Sequence, residues 1–555
     1  MMYILFALII ILFLICLNIK NTVKMRNKII QRFGNEKGNS KYEDEIEIIR
    51  YYYKTKKSNN DIDDITWNDL DLNRIFNDMN TTLTNAGEEY LYALLHQMEF
   101  NEDILKERER VTNILDENSD IRTKLQIIFY QLRKIYNHSM YETLDKCRYI
   151  YRESMVPHFI ICSLVIFSFI ILFWNYLIGG VCVVISLVLS ITTYYRAMRK
   201  IPLSNQWHLK YFSKMIRTVS KMSKLHCHEL ESYFTELRNI KKIFKGVQLK
   251  SIFLSTGAGF IADSIDLVLD YIRMFTHVDI IMIYNMSKII EAHFNEVERL
   301  FELIGFFDSM IAIASYKRQL PYYSTPKLSN DGVKKLQIVD LYHPLVEKPI
   351  VNSINENKGI LLTGSNASGK STFLKAIAIN SILSQTLYIS TSRNYVGNFF
   401  KVYTSMALTD NLIGRDSYFI VEIKALKRIL EQLNNEIPIL CCIDEVLRGT
   451  NTLERIAASS EILEQLGKTN AICVVATHDI ELAHILDSLY TNYHFKEEIV
   501  DNQVIFNYKL YKGISTTRNA IMLLKMLGYT NDIVNRANRR LDEFISTGIW
   551  VPTIT

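Results

Sequence analysis

Gly359-Ile360-Leu361-Leu362-Thr363-Gly364-Ser365-Asn366-Ala367-Ser368-Gly369-Lys370-Ser371-Thr372 is the stretch from which the rest of this 555-residue chain is read. The apolar run Ile360–Leu362 predicts a buried strand. Gly364 to Ser371 then matches the pattern G-x-x-x-x-G-K-S/T, and Thr372 to about Leu383 predicts a helix. Strand, glycine-rich loop and helix in that order make a phosphate cradle. The backbone N–H groups of Gly364, Ser365, Asn366, Ala367, Ser368 and Gly369 close around phosphate oxygens, and the helix N-terminus adds positive potential. Lys370 would meet the β- and γ-phosphates of a nucleotide, Ser371 would bind Mg²⁺, and Thr372 opens the helix.

Two more apolar strands support the cradle. Ile439 to Ile443 ends in Asp444-Glu445, and Ala471 to Ala476 ends in Thr477-His478-Asp479. Asp444 is placed to hold Mg²⁺ through water, Glu445 to polarise an attacking water, and His478 to sense the γ-phosphate. Phosphate sites gather at the carboxyl ends of parallel strands. The strands alternate with helical stretches at Phe419–Leu433, Thr452–Leu466 and Ile480–Leu486, so an α/β, doubly wound, mostly parallel sheet is expected over residues 331–545.

The rest of the chain reads as helix. At 48% hydrophobic and 22% charged it is neither disordered nor of low complexity. No proline occurs in residues 1–156 or 203–320, which favours long helices. The eight cysteines form no CxxC pair and lie mostly in apolar runs, a usage that suits a reducing compartment. His226-Cys227-His228 lacks the second ligand pair that a metal site needs.

Two segments read as membrane-spanning. Met1 to Leu17 carries no charge and is followed by Lys20, Lys24, Arg26 and Lys28, the order of an uncleaved anchor over 1–19 with its N-terminus outside. A cleaved signal or a short buried helix is the alternative. Ser154 to Tyr195 is a 42-residue run without a formal charge. One straight helix of that length would be about 63 Å long, twice a bilayer core. Two spans, Pro157–Asn175 and Leu177–Tyr195, turning at Gly179-Gly180, fit better; a buried soluble hairpin is the alternative. Lys146, Arg148 and Arg152 before the hairpin, and Arg196, Arg199 and Lys200 after it, place both flanks inside. The chain then divides into an anchor (1–19), a cytoplasmic helical region (20–156), a transmembrane hairpin (157–195), an all-α core or lever region (196–330) and the α/β domain. The location is a multi-pass one in the cell membrane, with the α/β domain cytoplasmic. Between Arg196 and Lys250 there are 13 Lys/Arg against 3 Asp/Glu. That basic run could hold anionic lipid, contact nucleic-acid phosphates, or form a solvated face.

With these residues in place, the sequence resembles the MutS family of DNA mismatch-repair ATPases. Gly364 to Thr372 is similar to the family's G-P-N-M-G-G-K-S-T loop. His343-Pro344-Leu345-Val346-Glu347 resembles H-P-x-x-E. Asp410 to Glu422 resembles D-D-L-x-x-G-x-S-T-F-x-x-E, and Asp444 to Thr452 resembles D-E-x-G-R-G-T-S-T. The resemblance implies a P-loop ATPase using ATP and Mg²⁺. It implies that Asn366 orients phosphate or water, and that Ser417 reaches the γ-phosphate bound to a second subunit, making a homodimer with composite sites. It also implies DNA as a partner and an adenine pocket that is aliphatic here, at Ile350 and Val351. The family's mismatch wedge is Phe-x-Glu. Here such triplets upstream of the α/β domain, at Phe100, Phe234 and Phe294, fall in predicted helices, so binding of branched or unspecific DNA is favoured over mismatch recognition. A transporter-type ATPase fits less well, because no LSGGQ-like signature occurs. A nucleotide-switched membrane scaffold that binds no nucleic acid is the remaining reading.

Overall fold

The computed structural model describes residue 20 and residues 23–550, other than 39, 136, 149–153, 201–202, 246–270, 366–367, 407–417, 434–435, 501–502, 515–520, 522–523 and 525–527. The anchor expected over 1–19 lies outside the described residues. Up to residue 319 the described chain is helical. It holds α1 (Glu43–Lys56), α2 (Asp64–Asp69), α3 (Leu72–Met79), α4 (Asn85–His96), α5 (Glu102–Glu117), α6 (Ser119–Leu132) and α7 (Met140–Cys147). Then come α8 (Val156–Trp174), α9 (Tyr176–Lys200), α10 (Leu203–Met222), α11 (Glu231–Ile243), α12 (Val278–Ala292) and α13 (Phe294–Gln319). Two compact units form: a helical one that includes Phe76–Leu94 and Arg108–Gln319, and an α/β one that joins Leu320 onward to Ser58–Ile75 and Leu95–Glu107.

The helical unit is organised on α13, which is buried along most of its length by Leu300, Phe301, Ile304, Phe307, Met310 and Ile311. Its fully buried Asp308 accepts hydrogen bonds from the backbone N–H groups of Leu83 (3.0 Å) and Thr84 (2.8 Å) and from the Thr84 hydroxyl (2.7 Å). Those donors stand at the start of α4, where no intrahelical acceptor exists, so the carboxylate supplies one. The two helices approach closely at Gly305. A Cβ there would sit 2.6 Å from Tyr90 Cβ and 2.7 Å from Ala86 O.

α8 and α9 form an apolar hairpin. The turn is at Asn175 and not at Gly179-Gly180. Asn175 takes an extended backbone (φ −145°, ψ 109°), and its side-chain oxygen accepts from the N–H groups of Leu177 and Ile178, both at 3.1 Å. An asparagine that caps the next helix turns the chain more tightly than two glycines within it. Gly179 instead lets the helices touch, since a Cβ there would lie 2.3 Å from Leu172 Cα. Both helices are long and apolar enough to cross a bilayer, and only 17% of each apolar window is buried. Phe167, Phe173, Trp174, Leu177 and Val181 all face outward. Of the Phe-x-Glu triplets, Phe234 is buried in α11 and stacks on Phe307. Phe294 lies under the Arg148 guanidinium. Phe100 stands in the coil before α5 and not in a helix, because Asn101 caps there (its Oδ1 accepts from Asp103 N–H at 2.9 Å).

The α/β unit contains β1 (Lys327–Ser329), β2 (Leu336–Leu341), β3 (Asn352–Glu356), β4 (Gly359–Thr363), α14 (Lys370–Thr386), β5 (Asn394–Asn398), β6 (Lys401–Ser405) and α15 (Tyr418–Leu430). It continues with β7 (Ile439–Asp444), α16 (Thr452–Lys468), β8 (Ala471–Ala476), α17 (Ile480–Ile485), β9 (Tyr490–Val500), β10 (Gln503–Lys512) and α18 (Asn531–Thr547). Six strands form a sheet in the order β10-β9-β4-β8-β7-β6, parallel except for the edge pair β9–β10. β4 and β8 are buried at every position, as expected of parallel strands covered on both faces. A second, mixed sheet, β1-β5-β2-β3, was not anticipated; its short, partly polar strands lack a continuous apolar run.

Gly305→Ala forces a methyl group into the α4–α13 contact. The variant should lose about 1–3 kcal/mol of stability, as overpacked cores do. Thermal unfolding of the full chain measures this, and a variant as stable as the wild type would show that the helices are not locked at that point.

Candidate active site

The glycine-rich loop leaves β4 at Gly364 (φ +144°) and enters α14 at Gly369 (φ +106°). Asn366 and Ala367 lie outside the described residues. α14 begins at Lys370, earlier than expected, so Ser371 and Thr372 stand exposed in its first turn. Lys370 is buried, and its ammonium donates to the carbonyls of Gly364 and Ser365, both at 2.8 Å. Burial pushes its pKa down, against the pull of Asp444, Glu445 and Glu497. Ser368 is also buried, and its hydroxyl oxygen has no hydrogen-bond partner among the described residues. A buried hydroxyl without a partner is costly, and this one lies in a loop already suited to phosphate oxygens.

The sheet brings the acidic residues to the same edge. In the β7–β8 register Asp444 faces Ala476, Glu445 N–H donates to Ala476 O (2.9 Å), and Thr477 N–H donates to Leu362 O (2.9 Å). The segments after β4, β7 and β8 therefore end side by side. His478 Nε2 lies 3.1 Å from one Glu445 oxygen, and Arg448 Nε lies 2.6 Å from the other. The His478 hydrogen bond, with Arg448 adding to it against burial, holds the Glu445 carboxyl below the usual carboxylate range. Glu445 sits at φ +60° and Leu447 at φ +57°, a region that disfavours side chains. Glu422, from α15, holds this turn: its buried carboxylate accepts from Leu447 N–H (2.6 Å) and Arg448 N–H (3.2 Å). Burial pushes the Glu422 carboxyl up. Arg455 grips Asp479 through two hydrogen bonds, 2.9 and 2.6 Å, and so fixes the segment carrying His478 to α16.

Beside the loop is a cavity of about 360 Å³ lined by His343, Ile350, Thr372, Phe373, Phe495 and Tyr508 among others. Its size and apolar walls suit a planar ring. Ile350 lines it, but Val351 does not, and the pocket is more aromatic than the sequence suggested. Phe495 and Tyr508 come from the β9–β10 hairpin, distant in sequence from the loop. Asn352 fixes that hairpin, donating to Tyr508 O (2.9 Å) and accepting from Leu510 N–H (2.8 Å). Burial, with Lys375 nearby, pushes the pKa of His343 down to about 4, so its ring is neutral at pH 7.

Lys370, Asp444, Glu445 and His478 are thus brought to one edge, next to the loop that carries Ser365, Ser368, Ser371 and Thr372. Ser417, with the whole stretch 407–417, lies outside the described residues. The bracing roles of Glu422 and Arg448 were missed, although both stand in the quoted motifs; only their contacts reveal what they do.

A family model described as MutS domain V matches residues 360–545. The MutS protein homolog 4 of Homo sapiens is 30% identical over 266 residues, covering 45% of this chain and 28% of that protein. The DNA mismatch repair protein MutS of Methanosarcina mazei is 28% identical over 274 residues, covering 46% and 30%. That of Clostridium beijerinckii is 25% identical over 343 residues, covering 58% and 36%. The matches take in about a third of the length of these curated relatives. Against the family pattern D-E-x-G-R-G, Leu447 stands in place of the glycine, at φ +57°. A mostly helical region followed by an α/β domain with mixed sheets fits the same family, and the similarity lies in the C-terminal domain.

Proposed function

We propose that this chain is a membrane-anchored P-loop ATPase that hydrolyses ATP with Mg²⁺, works as a homodimer with composite sites, and acts on DNA. The observation that carries the reading is the convergence of Lys370, Asp444, Glu445 and His478 on a loop whose buried Ser368 hydroxyl has no partner among the described residues. The donors fit the groups they would hold. The Ser371 hydroxyl and the Asp444 carboxylate are hard oxygen ligands of the kind Mg²⁺ prefers. Mg²⁺, when bound there, supplies charge neutralisation at the phosphate oxygens.

The chain's own residues do the rest. Lys370 leaves the carbonyls of Gly364 and Ser365 and pairs with the β- and γ-phosphates. Glu445, kept ionised by His478 and Arg448, orients the attacking water and accepts its proton. His478, held on Glu445, would read whether a γ-phosphate is present. The His343–Tyr508 cavity takes the base. Ser417 completes the site of the opposite subunit, as its motif implies.

Membrane attachment is supported by the outward-facing apolar hairpin, since soluble proteins rarely leave so large an apolar surface in water. DNA as a partner rests on the relatives, two of which are named as DNA mismatch repair proteins. Branched or unspecific DNA is favoured over mismatches, because Phe234 and Phe294 are held in packing contacts and do not form a wedge.

Lys370→Ala should abolish ATP binding. Glu445→Ala should bind ATP normally and lose turnover by about 100-fold or more, the usual contribution of a positioned base; normal turnover would remove Glu445 from its role. Dimers mixed from Ser417→Ala and Glu445→Ala subunits should not show the average of the two activities, and a simple average would exclude shared sites. The full chain should stay with membranes through alkaline carbonate washing, whereas release into the supernatant would return the hairpin to a soluble fold. Duplex or branched DNA should stimulate turnover and bind with an affinity that falls as salt rises. If neither occurs, the DNA assignment fails and the membrane scaffold reading replaces it.

A further inference from the structure

β9 outruns β4. The two pair in parallel up to Thr363 opposite His494, and β9 then continues alongside the glycine-rich loop. The approach is close: a Cβ on Gly364 would lie 2.9 Å from Phe495 O. Glu497 follows on this strand, opposite Phe506 of β10, and is only 5% exposed. Its carboxylate accepts a hydrogen bond from the Ser365 hydroxyl, inside the loop. It also acts electrostatically on Lys370, raising the affinity of that amine for its proton.

A buried carboxylate is out of place at a polyphosphate site. The loop itself attracts anions through the N-terminus of the 17-residue α14, the Lys370 ammonium and the Ser368 hydroxyl, and the other carboxylates that act on Lys370, Asp444 and Glu445, already have roles toward Mg²⁺ and water in the reading above. A negative group next to the loop lowers the local potential and competes with an incoming phosphate for the same donors. Burial strengthens that competition, because little solvent screens it.

We propose that Glu497 is an internal counter-anion of the glycine-rich loop, an affinity-setting residue that holds Ser365 and balances Lys370 when no nucleotide is bound and must give up Ser365 when a polyphosphate enters. This inference rests on the nucleotide-site reading above. The carboxylate then makes binding weaker than the loop alone would allow, and the penalty grows with the number of phosphate charges. Glu497 is thereby a positioning residue that discriminates by phosphate charge and takes no part in bond breaking.

The test is calorimetric titration of the detergent-solubilised full chain with MgATP, MgADP and adenosine. Glu497→Gln keeps the shape and an acceptor for Ser365 but removes the charge. It should bind MgATP at least roughly tenfold more tightly, because at an effective dielectric of about 20 a like charge as far as about 12 Å away already accounts for a factor of that order. The gain should be smaller for MgADP and absent for adenosine. Glu497→Asp, which restores the charge, should return MgATP affinity toward the wild-type value. An equal change for all three ligands would mark a purely structural effect and overturn the proposal, as would unchanged or weaker MgATP binding by Glu497→Gln. If neither the wild type nor Glu497→Gln binds MgATP, while both unfold cooperatively, the nucleotide-site reading itself falls and this inference falls with it.

Discussion

β8 lies between β4 and β7, and its register on both neighbours decides where chemistry is possible. With Asp444 opposite Ala476, and Thr477 bonded to Leu362, the segments carrying Glu445, His478 and the glycine-rich loop end together. A slip of one residue would turn the side chains of one segment to the other face of the sheet and separate Lys370, Asp444, Glu445 and His478. The register is held by apolar burial: Ile439 to Ile443 and Ala471 to Ala476 are buried throughout, with Cys441, Cys473, Val475 and Tyr490 in the same core. The cysteines serve as small apolar side chains there.

Grouping charges at a partly buried edge creates a second requirement, which the turn after β7 meets. Glu445 is bracketed by His478 and Arg448, so its charge is balanced before any ligand arrives. Glu445 and Leu447 adopt left-handed backbone angles, each costing on the order of 1–3 kcal/mol. That strain is sustained by Glu422 on the backbone N–H groups and by burial of the Leu447 side chain. Leucine instead of glycine makes the turn stiffer, because glycine visits many backbone states and leucine few.

In the helical unit the same accounting of polar groups explains a buried acid. Asp308 is tolerated because it satisfies donors at the start of α4 that have no other acceptor. The α8–α9 hairpin follows a different solvent logic. Ser168, Ser186 and Ser190 are turned inward, with the Ser168 and Ser186 hydroxyls meeting at 3.0 Å, while many large apolar side chains face out. That arrangement is the inverse of a water-soluble helix pair, and the proposed membrane attachment rests on it.

Much is legible in the sequence, and for a local reason. The order of strand, loop and helix around Lys370 depends on residues adjacent in the chain, and so does the uncharged run between Ser154 and Tyr195. The hairpin turn was misplaced because a glycine pair is a common turn signal, whereas the capping power of Asn175 shows only once the helix ends are seen. The aromatic wall of the cavity, the hold of Glu422 on the Leu447 turn and the contact of Glu497 with Ser365 were hidden for a different reason. Each joins segments far apart in sequence, and neither composition nor spacing states which of them meet. The letters alone determined what kind of backbone forms at each stretch, because dihedral preference and apolar periodicity act over a few residues. Which side chains face one another across the sheet edge was decided only by tertiary packing, because strand register is settled by burial of the whole core.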